Sequence, residues 1–184
     1  PLPLYKLRRL GYFLTLAIGL RRASKIIAVS QTTKQEIIDH FSIPPEKITV
    51  TNEGVDEQVK SQKPLIDSPY FLYVGNAYPH KNLEILIGAF QKFISQGLAL
   101  PRKARPYENK NVCLVLVGKD DFFYGRIKTL VHTLALDDRI VFFGEADDEA
   151  LASLYTHAIA LVFPSVMEGF GLPAIEALSL GCPV

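Results

Sequence analysis

Two short stretches hold the residues with the most chemical capacity. The first runs from Pro164 to Glu176 and places two carboxylates, Glu168 and Glu176, on either side of Gly169-Phe170-Gly171-Leu172-Pro173-Ala174-Ile175. Pro173 suits the first position of a helix, and Gly169 and Gly171 let the preceding loop turn its N–H groups toward an anion. Glu168 then belongs to the loop and Glu176 to the start of the helix. A plain reading makes Glu176 a helix-dipole partner and Glu168 a solvated loop charge. Against it stands a Gly-rich, otherwise apolar setting in which neither carboxylate has a cation nearby in sequence. Ionised groups in such a setting need partners, and a hydroxyl-rich ligand would supply them. The second stretch is Gly75-Asn76-Ala77-Tyr78-Pro79-His80-Lys81-Asn82, read as a loop running into a helix. A helix N-terminus, the full charge of Lys81 and the close approach that Gly75 permits together suit a phosphate or diphosphate.

Other chemistries find little to build on. No Gly-x-Gly-x-x-Gly follows an apolar strand, and Gly118-Lys119-Asp120 lacks the rest of a P-loop, so dehydrogenase and P-loop readings are weak. Gly-x-Ser-x-Gly, His-Glu-x-x-His and Asp-x-Asp are absent. The four histidines are scattered, with His40, His132 and His157 reading as ordinary helix residues, and no metal site is expected. Cys113 and Cys182 sit in apolar sequence, far apart, and read as core residues of a protein in a reducing cytosol. A chain of 184 residues, 48% apolar and 21% charged, is neither disordered, collagen-like nor a disulfide scaffold. Its net charge of +1 conceals an uneven distribution, because all nineteen acidic residues follow a basic start containing Lys6, Arg8, Arg9, Arg21, Arg22, Lys25 and Lys34. The basic loop Pro101 to Lys110 reads as a solvated insertion rather than a nucleic-acid surface.

The elements that must position these residues follow from apolar periodicity. Residues 4 to 22 form a helix. Its charges lie at the ends, which favours a core-packed helix with solvated ends over one lying on an anionic membrane surface. Its apolar run from Leu10 to Leu20 is too short to span a bilayer. A short strand at Lys25 to Val29 precedes a helix from Thr33 to Phe41, where Thr33 and Glu36 have capping-box spacing. Ile48 to Val50 is a further strand, and a domain boundary is placed near Asp56, dividing the chain into 1–55 and 56–184. Beyond it, strands at Tyr70 to Gly75, Val112 to Gly118, Ile140 to Gly144 and Ile159 to Pro164 alternate with helices. The helices carry the stripes Leu83, Leu86, Ile87, Phe90; Ile127, Leu130, Val131, Leu134; and Leu151, Leu154, Tyr155, Ala158. Continuously apolar strands alternating with helices predict an α/β fold, a doubly wound, Rossmann-like parallel sheet covered on both faces. Ligands of such sheets bind beyond the carboxyl ends of the strands, where both stretches fall.

Glu168-Gly-Phe-Gly-Leu-Pro-Ala-Ile-Glu176 resembles the Glu-x₇-Glu motif of retaining glycosyltransferases with the GT-B fold, known as group 1 or family 4. The resemblance extends through Lys25 to Ser30, Pro45 to Asp56, Tyr73 to Asn76, His80 to Asn82, Leu116 to Gly118 and Gly181 to Val184, in the family's order. It implies two Rossmann-like domains with a cleft between them. Residues 1–55 would be the end of the acceptor-side domain plus linker, and 56–184 a truncated nucleotide-sugar-binding domain. The resemblance further implies that Glu176 holds the ribose hydroxyls of the donor and Glu168 the transferred sugar. The backbone of Gly169, Phe170, Gly171 and Leu172, with Gly75 and Asn76, would line sugar and diphosphate, while Lys81 neutralises the diphosphate. Many members have Arg where this chain has Asn76, and Pro-Asn-Gly where it has Thr51-Asn52-Glu53-Gly54. The implied activity is metal-independent transfer of a hexosyl group, with retention, from a nucleotide-diphosphate sugar to a saccharide or lipid-linked acceptor. It needs no cofactor and no nucleic acid. Polysaccharide biosynthesis in the cytoplasm, with peripheral contact at the inner membrane surface, is the implied setting. A chain opening on Pro1 reads as a fragment, expected to be inactive by itself. The alternatives are a non-catalytic nucleotide-sugar-binding or scaffold protein of the same fold, and a glycosidase, which would need both carboxylates flanking one bond.

Overall fold

The computed structural model describes residues 2–55, 63–96 and 112–184. Two compact units are present, Pro1–Gly54 and Val55–Val184. Asp56, where the boundary was placed, and the basic loop Pro101 to Lys110 both lie outside the described residues.

In the first unit, α1 (Leu2–Arg22) leads to β1 (Ile26–Ala28), α2 (Gln31–Phe41) and β2 (Ile48–Val50). β1 and β2 pair in parallel, with Ile26 opposite Ile48 and Ala28 opposite Val50. Helix α2 starts earlier than its capping-box spacing predicts. Ser30 leaves β1 with extended backbone and its hydroxyl accepts from the Thr33 N–H at 3.0 Å, so Ser30, not Thr33, is the N-cap. The expectation that α1 is packed into a core is corrected. Leu4, Leu7, Leu10, Tyr12, Leu14 and Ile18 are all more than half exposed. The cluster of Ile26, Ala28, Ile43 and Ile48 presents too little apolar surface to cover a 21-residue helix. α1 is held through its carboxyl-terminal half instead, where Leu20 packs against that cluster. Phe13 stacks on Phe41 with centroids 5.8 Å apart, and the Lys47 ammonium donates to the terminal carbonyls of Leu20 and Arg21 at 3.0 and 2.7 Å. Among the described residues no helix is long and apolar enough to cross a membrane.

The second unit is a four-stranded, all-parallel sheet in the order β5-β4-β3-β6, built from β3 (Tyr70–Val74), β4 (Cys113–Val117), β5 (Ile140–Gly144) and β6 (Ala160–Leu161). Helices α3 (Leu83–Gln96), α4 (Phe122–Thr133), α5 (Asp148–His157) and α6 (Leu172–Ser179) complete it. Successive residues of a strand face opposite sides, and both sides here are apolar. Leu114 and Leu116 join the core under α3 and α4 with Leu83, Leu86, Ile87, Phe90, Ile127 and Val131. Cys113, Val115 and Val117 join the core under α5 and α6 with Leu154, Tyr155 and Ala177. This is the doubly wound, Rossmann-like α/β architecture that the periodicity predicts.

Two differences have local causes. β6 pairs with β3 only at Ala160 and Leu161, well short of the expected 159–164, because the chain turns off the sheet before Pro164 to form a loop. α5 ends at His157 with Ala158 as its C-cap, although Ala158 still packs against the same core as Leu151, Leu154 and Tyr155. Asp121 and Asp147 cap α4 and α5 through their side chains.

The carboxyl edge of the sheet is tightly built. Gly118 is pressed against the loop after β3, such that a Cβ there would lie 2.2 Å from the Gly75 carbonyl oxygen and 2.6 Å from the Tyr124 hydroxyl. That hydroxyl donates to the Gly75 and Val117 carbonyls at 2.9 and 3.0 Å, tying α4 to the loop after β3 and to the end of β4. Gly118→Ala is therefore expected to destabilise the chain by about 1 to 3 kcal/mol, because backbone must move to admit the methyl group. Gly125→Ala, at a helical position with open space around it, serves as the control and should be neutral or stabilising by up to about 1 kcal/mol. Denaturant unfolding of the two variants beside the parent measures both.

Candidate donor site at the carboxyl edge of the sheet

The loop after β3 does not run directly into α3. Tyr78 leads into a 3₁₀ turn, Pro79–Lys81, and Asn82 then takes a left-handed conformation at φ 61° before the helix opens at Leu83. Asn tolerates that region better than most residues because its carboxamide bonds locally. The Lys81 N–H donates to the Tyr78 carbonyl at 2.8 Å and the Asn82 N–H to the Pro79 carbonyl at 3.2 Å. The Lys81 and Asn82 N–H groups are thus engaged within the turn, and the Lys81 side chain is left to reach beyond it. The turn is clamped from outside by Tyr78, whose ring meets Phe123 of α4 edge-on at 4.9 Å.

Three contacts join this turn to the loop that follows β6. The Val166 N–H donates to the His80 carbonyl at 2.9 Å, the Asn82 carboxamide donates to the Pro164 carbonyl at 3.2 Å, and the Lys81 ammonium donates to Glu168 Oε1 at 2.6 Å. Lys81 and Glu168 are 87 residues apart in the chain and keep only 14% and 24% of their side-chain surface. Lys81 also lies 5.8 Å from the centre of the Phe163 ring, a favourable place for a cation. Burial by itself would raise the Glu168 carboxyl. The hydrogen bond from Lys81, the neighbouring Ser165 hydroxyl, and the charges of Lys81 and His80 outweigh it and hold the group below its ordinary value. The Ser165 oxygen is itself buried and makes no hydrogen bond of good geometry, so its effect on Glu168 is one of proximity.

The second carboxylate is held separately. Glu176 lies in the second turn of α6, not its first, and the Tyr155 hydroxyl of α5 donates to its Oε2 at 2.9 Å. Gly171 is the N-cap of α6 at φ 86°, a conformation that favours glycine, and no side chain caps the helix. Gly169, Phe170 and Leu172 occupy the connection between Glu168 and the body of α6, with Gly169 exposed and the other two half-buried. On the opposite loop the Gly75 N–H is engaged by the Val117 carbonyl at 2.9 Å, so Gly75 allows close approach but offers no donor of its own. The exposed Asn76 turns its Oδ1 back onto the Tyr78 N–H at 3.1 Å, while its carbonyl accepts from the Tyr73 hydroxyl at 2.7 Å.

The structure therefore brings Lys81 and Glu168 together and sets Glu176 on the helix that follows. With no cation nearby in sequence, the carboxylates find protein partners from elsewhere in the chain: Lys81 pairs Glu168 and the Tyr155 hydroxyl meets Glu176. Asn82 and Tyr155 escaped the reading of the sequence as site residues. The signal for Tyr155 was its phenol within an otherwise apolar stripe, since a buried hydroxyl must find an acceptor. Among the described residues there is no group of three or more His, Cys, Asp or Glu that could hold a metal ion.

A parallel α/β sheet with basic and acidic groups gathered at its carboxyl edge has the layout in which open sheets of this kind bind their ligands. The profile described as "Glycosyl transferases group 1" matches residues 55–184, and "Glycosyltransferase Family 4" matches residues 2–59. The chain belongs to the group 1 glycosyltransferases and carries the GT-B type of α/β fold. It is 30% identical over 169 residues to O-antigen chain mannosyltransferase RfbU of Salmonella typhimurium, covering 92% of this chain and 43% of that protein. To O-antigen chain mannosyltransferase B of Escherichia coli it is 31% identical over 177 residues, covering 90% and 44%. Among solved structures, HepE of Anabaena in complex with UDP and glucose superposes with a TM-score of 0.74 at 22% identity, covering 93% of this chain and 46% of that one. Sucrose-phosphate synthase of Thermosynechococcus elongatus gives 0.74 at 26%, covering 94% and 42%. The chain spans less than half the length of these relatives.

Replacing Lys81 by Met should lower the unfolding free energy at pH 7 by about 1 to 3 kcal/mol, between the values for exposed and buried pairs. Because the folded state holds the Glu168 carboxyl low, the pair's contribution is complete above the ordinary carboxylate value and is lost as the pH falls through the lowered one. The gap between parent and variant should thus narrow between pH 7 and about pH 3 in denaturant unfolding. A gap that stayed constant with acid would mean that the pair contributes nothing.

Proposed function

We propose that this chain supplies the donor-binding half of a metal-independent, retaining glycosyltransferase. It transfers a hexosyl group from a nucleotide-diphosphate sugar to a saccharide or lipid-linked acceptor. The observation that carries the proposal is the meeting of Lys81 and Glu168 from two loops at the carboxyl edge of the sheet, in a chain of this family. The mannosyltransferase relatives support a hexose, and the UDP and glucose held by the HepE fold neighbour support a nucleotide-sugar donor.

Breaking the bond between sugar and diphosphate leaves positive charge on the ring and negative charge on the departing phosphate. A catalyst gains most by stabilising both as they develop. An ammonium has three donors, of which Glu168 takes one, and the other two can meet phosphate oxygens. The uncapped start of α6 at Gly171 adds backbone dipole on the same side, with Gly169, Phe170 and Leu172 lining the approach and Gly75 and Asn76 bordering it opposite. Glu168, once shared between Lys81 and the sugar, accepts from sugar hydroxyls. Glu176 accepts from the two ribose hydroxyls, which a carboxylate can do with good geometry. The chemistry runs without a cofactor. Peripheral contact with a membrane through the basic residues of α1 fits a lipid-linked acceptor.

The test uses the complete reading frame with a panel of radiolabelled nucleotide sugars, scored for transfer and for donor hydrolysis. Activity with at least one donor, undiminished by chelator, is expected; no turnover with any of them, despite nucleotide binding, would favour the non-catalytic alternative. In the active protein, Lys81→Ala should lower kcat/KM by a factor on the order of 100 to 1,000, the usual effect of losing one donor to a developing oxyanion. Glu176→Ala should act mainly on affinity, seen as weaker binding of the free nucleoside diphosphate.

A further inference from the structure

Tyr155 stands outside the residues assigned above, yet it is the one that grips Glu176. Its side chain is fully buried on the α5–α6 face of the sheet, among Leu72, Leu154, Leu161 and Ala177. Phenylalanine would fill that space without bringing a polar atom into an apolar core. A phenol in such a place costs desolvation unless its hydroxyl is paired, and it is paired here with Glu176 Oε2 at 2.9 Å. Burial, and after it the negative charge of Glu176, hold the phenol well above its ordinary pKa, so it keeps its proton and serves as a donor throughout the working range.

A glutamate on a helix surface samples several rotamers, and a hydroxyl-binding carboxylate gains from being held in one. The bond from Tyr155 fixes one oxygen of Glu176 from beneath. The Tyr155 ring is itself enclosed by the core and carried on helix α5, which limits the positions its hydroxyl can take. The donor thus comes from the scaffold of the sheet, which suits a residue whose task is to orient another.

We propose that Tyr155 is a positioning residue for donor recognition, holding the Glu176 carboxylate in the one rotamer that meets the paired ribose hydroxyls and so setting the preference for ribonucleotides. This rests on the assignment of Glu176 to the ribose made above. Tyr155 touches no ligand; it acts only through Glu176.

The experiment titrates UDP, GDP and ADP, and the 2′,3′-dideoxy form of each, into the complete protein and its Tyr155→Phe, Glu176→Ala and doubly substituted variants. The parent should bind at least one ribonucleotide more tightly than its dideoxy form. Tyr155→Phe should weaken that ribonucleotide about tenfold and leave the dideoxy form unchanged, a pattern that a general loss of packing would not give. Adding Tyr155→Phe to Glu176→Ala should cost nothing further. Equal weakening of both nucleotide forms, no weakening of either, or additive effects in the double variant would each overturn the role of Tyr155. A parent that does not distinguish the two forms, or that binds none of the three ribonucleotides, would instead refute the Glu176 assignment itself, and this inference with it.

Discussion

Parallel strands can be joined only by a crossover, and that constraint governs everything of interest in residues 63–184. Each strand of the order β5-β4-β3-β6 begins at the same edge of the sheet and ends at the other. The loops after β3 and β6 therefore leave the sheet side by side, since those two strands are neighbours. Lys81 follows β3 by seven residues and Glu168 follows β6 by the same number. With 87 residues between them, neither finds the other by local preference. Adjacency of β3 and β6 is what makes a 2.6 Å ion pair possible, and the bonds from Asn82 and Val166 hold the two loops in register for it.

The same edge shows how packing density serves the site. Gly118 has no room for a side chain, and the Tyr124 hydroxyl joins the loop after β3 to the end of β4 by donating to the Gly75 and Val117 carbonyls. The loop carrying Lys81 is thus fixed from behind by Tyr124 and from outside by the contact of Tyr78 with Phe123. On the other face of the sheet, Tyr155 plays a comparable part beneath α6. In each case a tyrosine places its ring in the core and its hydroxyl against a residue of the candidate site or its supporting loop, so apolar burial and polar orientation come from one residue.

The first unit follows different physics. Its core is small, and α1 carries apolar residues around most of its circumference, leaving many of them exposed. A helix apolar on all sides requires cover, whether from protein or from lipid. The charges at its ends say nothing about which of these covers its middle, and so a reading based on charge placement went astray there.

Much of the second unit was legible in the sequence because its determinants are local or periodic. Continuously apolar strands specify burial on both faces, stripes such as Leu83, Leu86, Ile87 and Phe90 specify which side of a helix faces inward, and Gly171 with Pro173 marks a helix start. Glu168 and Glu176 were recognisable by type and spacing. What stayed hidden is pairing at long range: that Glu168 meets Lys81, that Glu176 meets Tyr155, that the Gly75 amide is engaged by Val117, and that Asn82 reaches Pro164. Period and propensity are properties of a segment, whereas strand order brings together segments that carry no mark of each other. The sequence by itself determined which residues could do chemistry and at which edge of the sheet they would stand. Only the tertiary structure decided which charge faces which, because that depends on the neighbour each strand takes in the sheet.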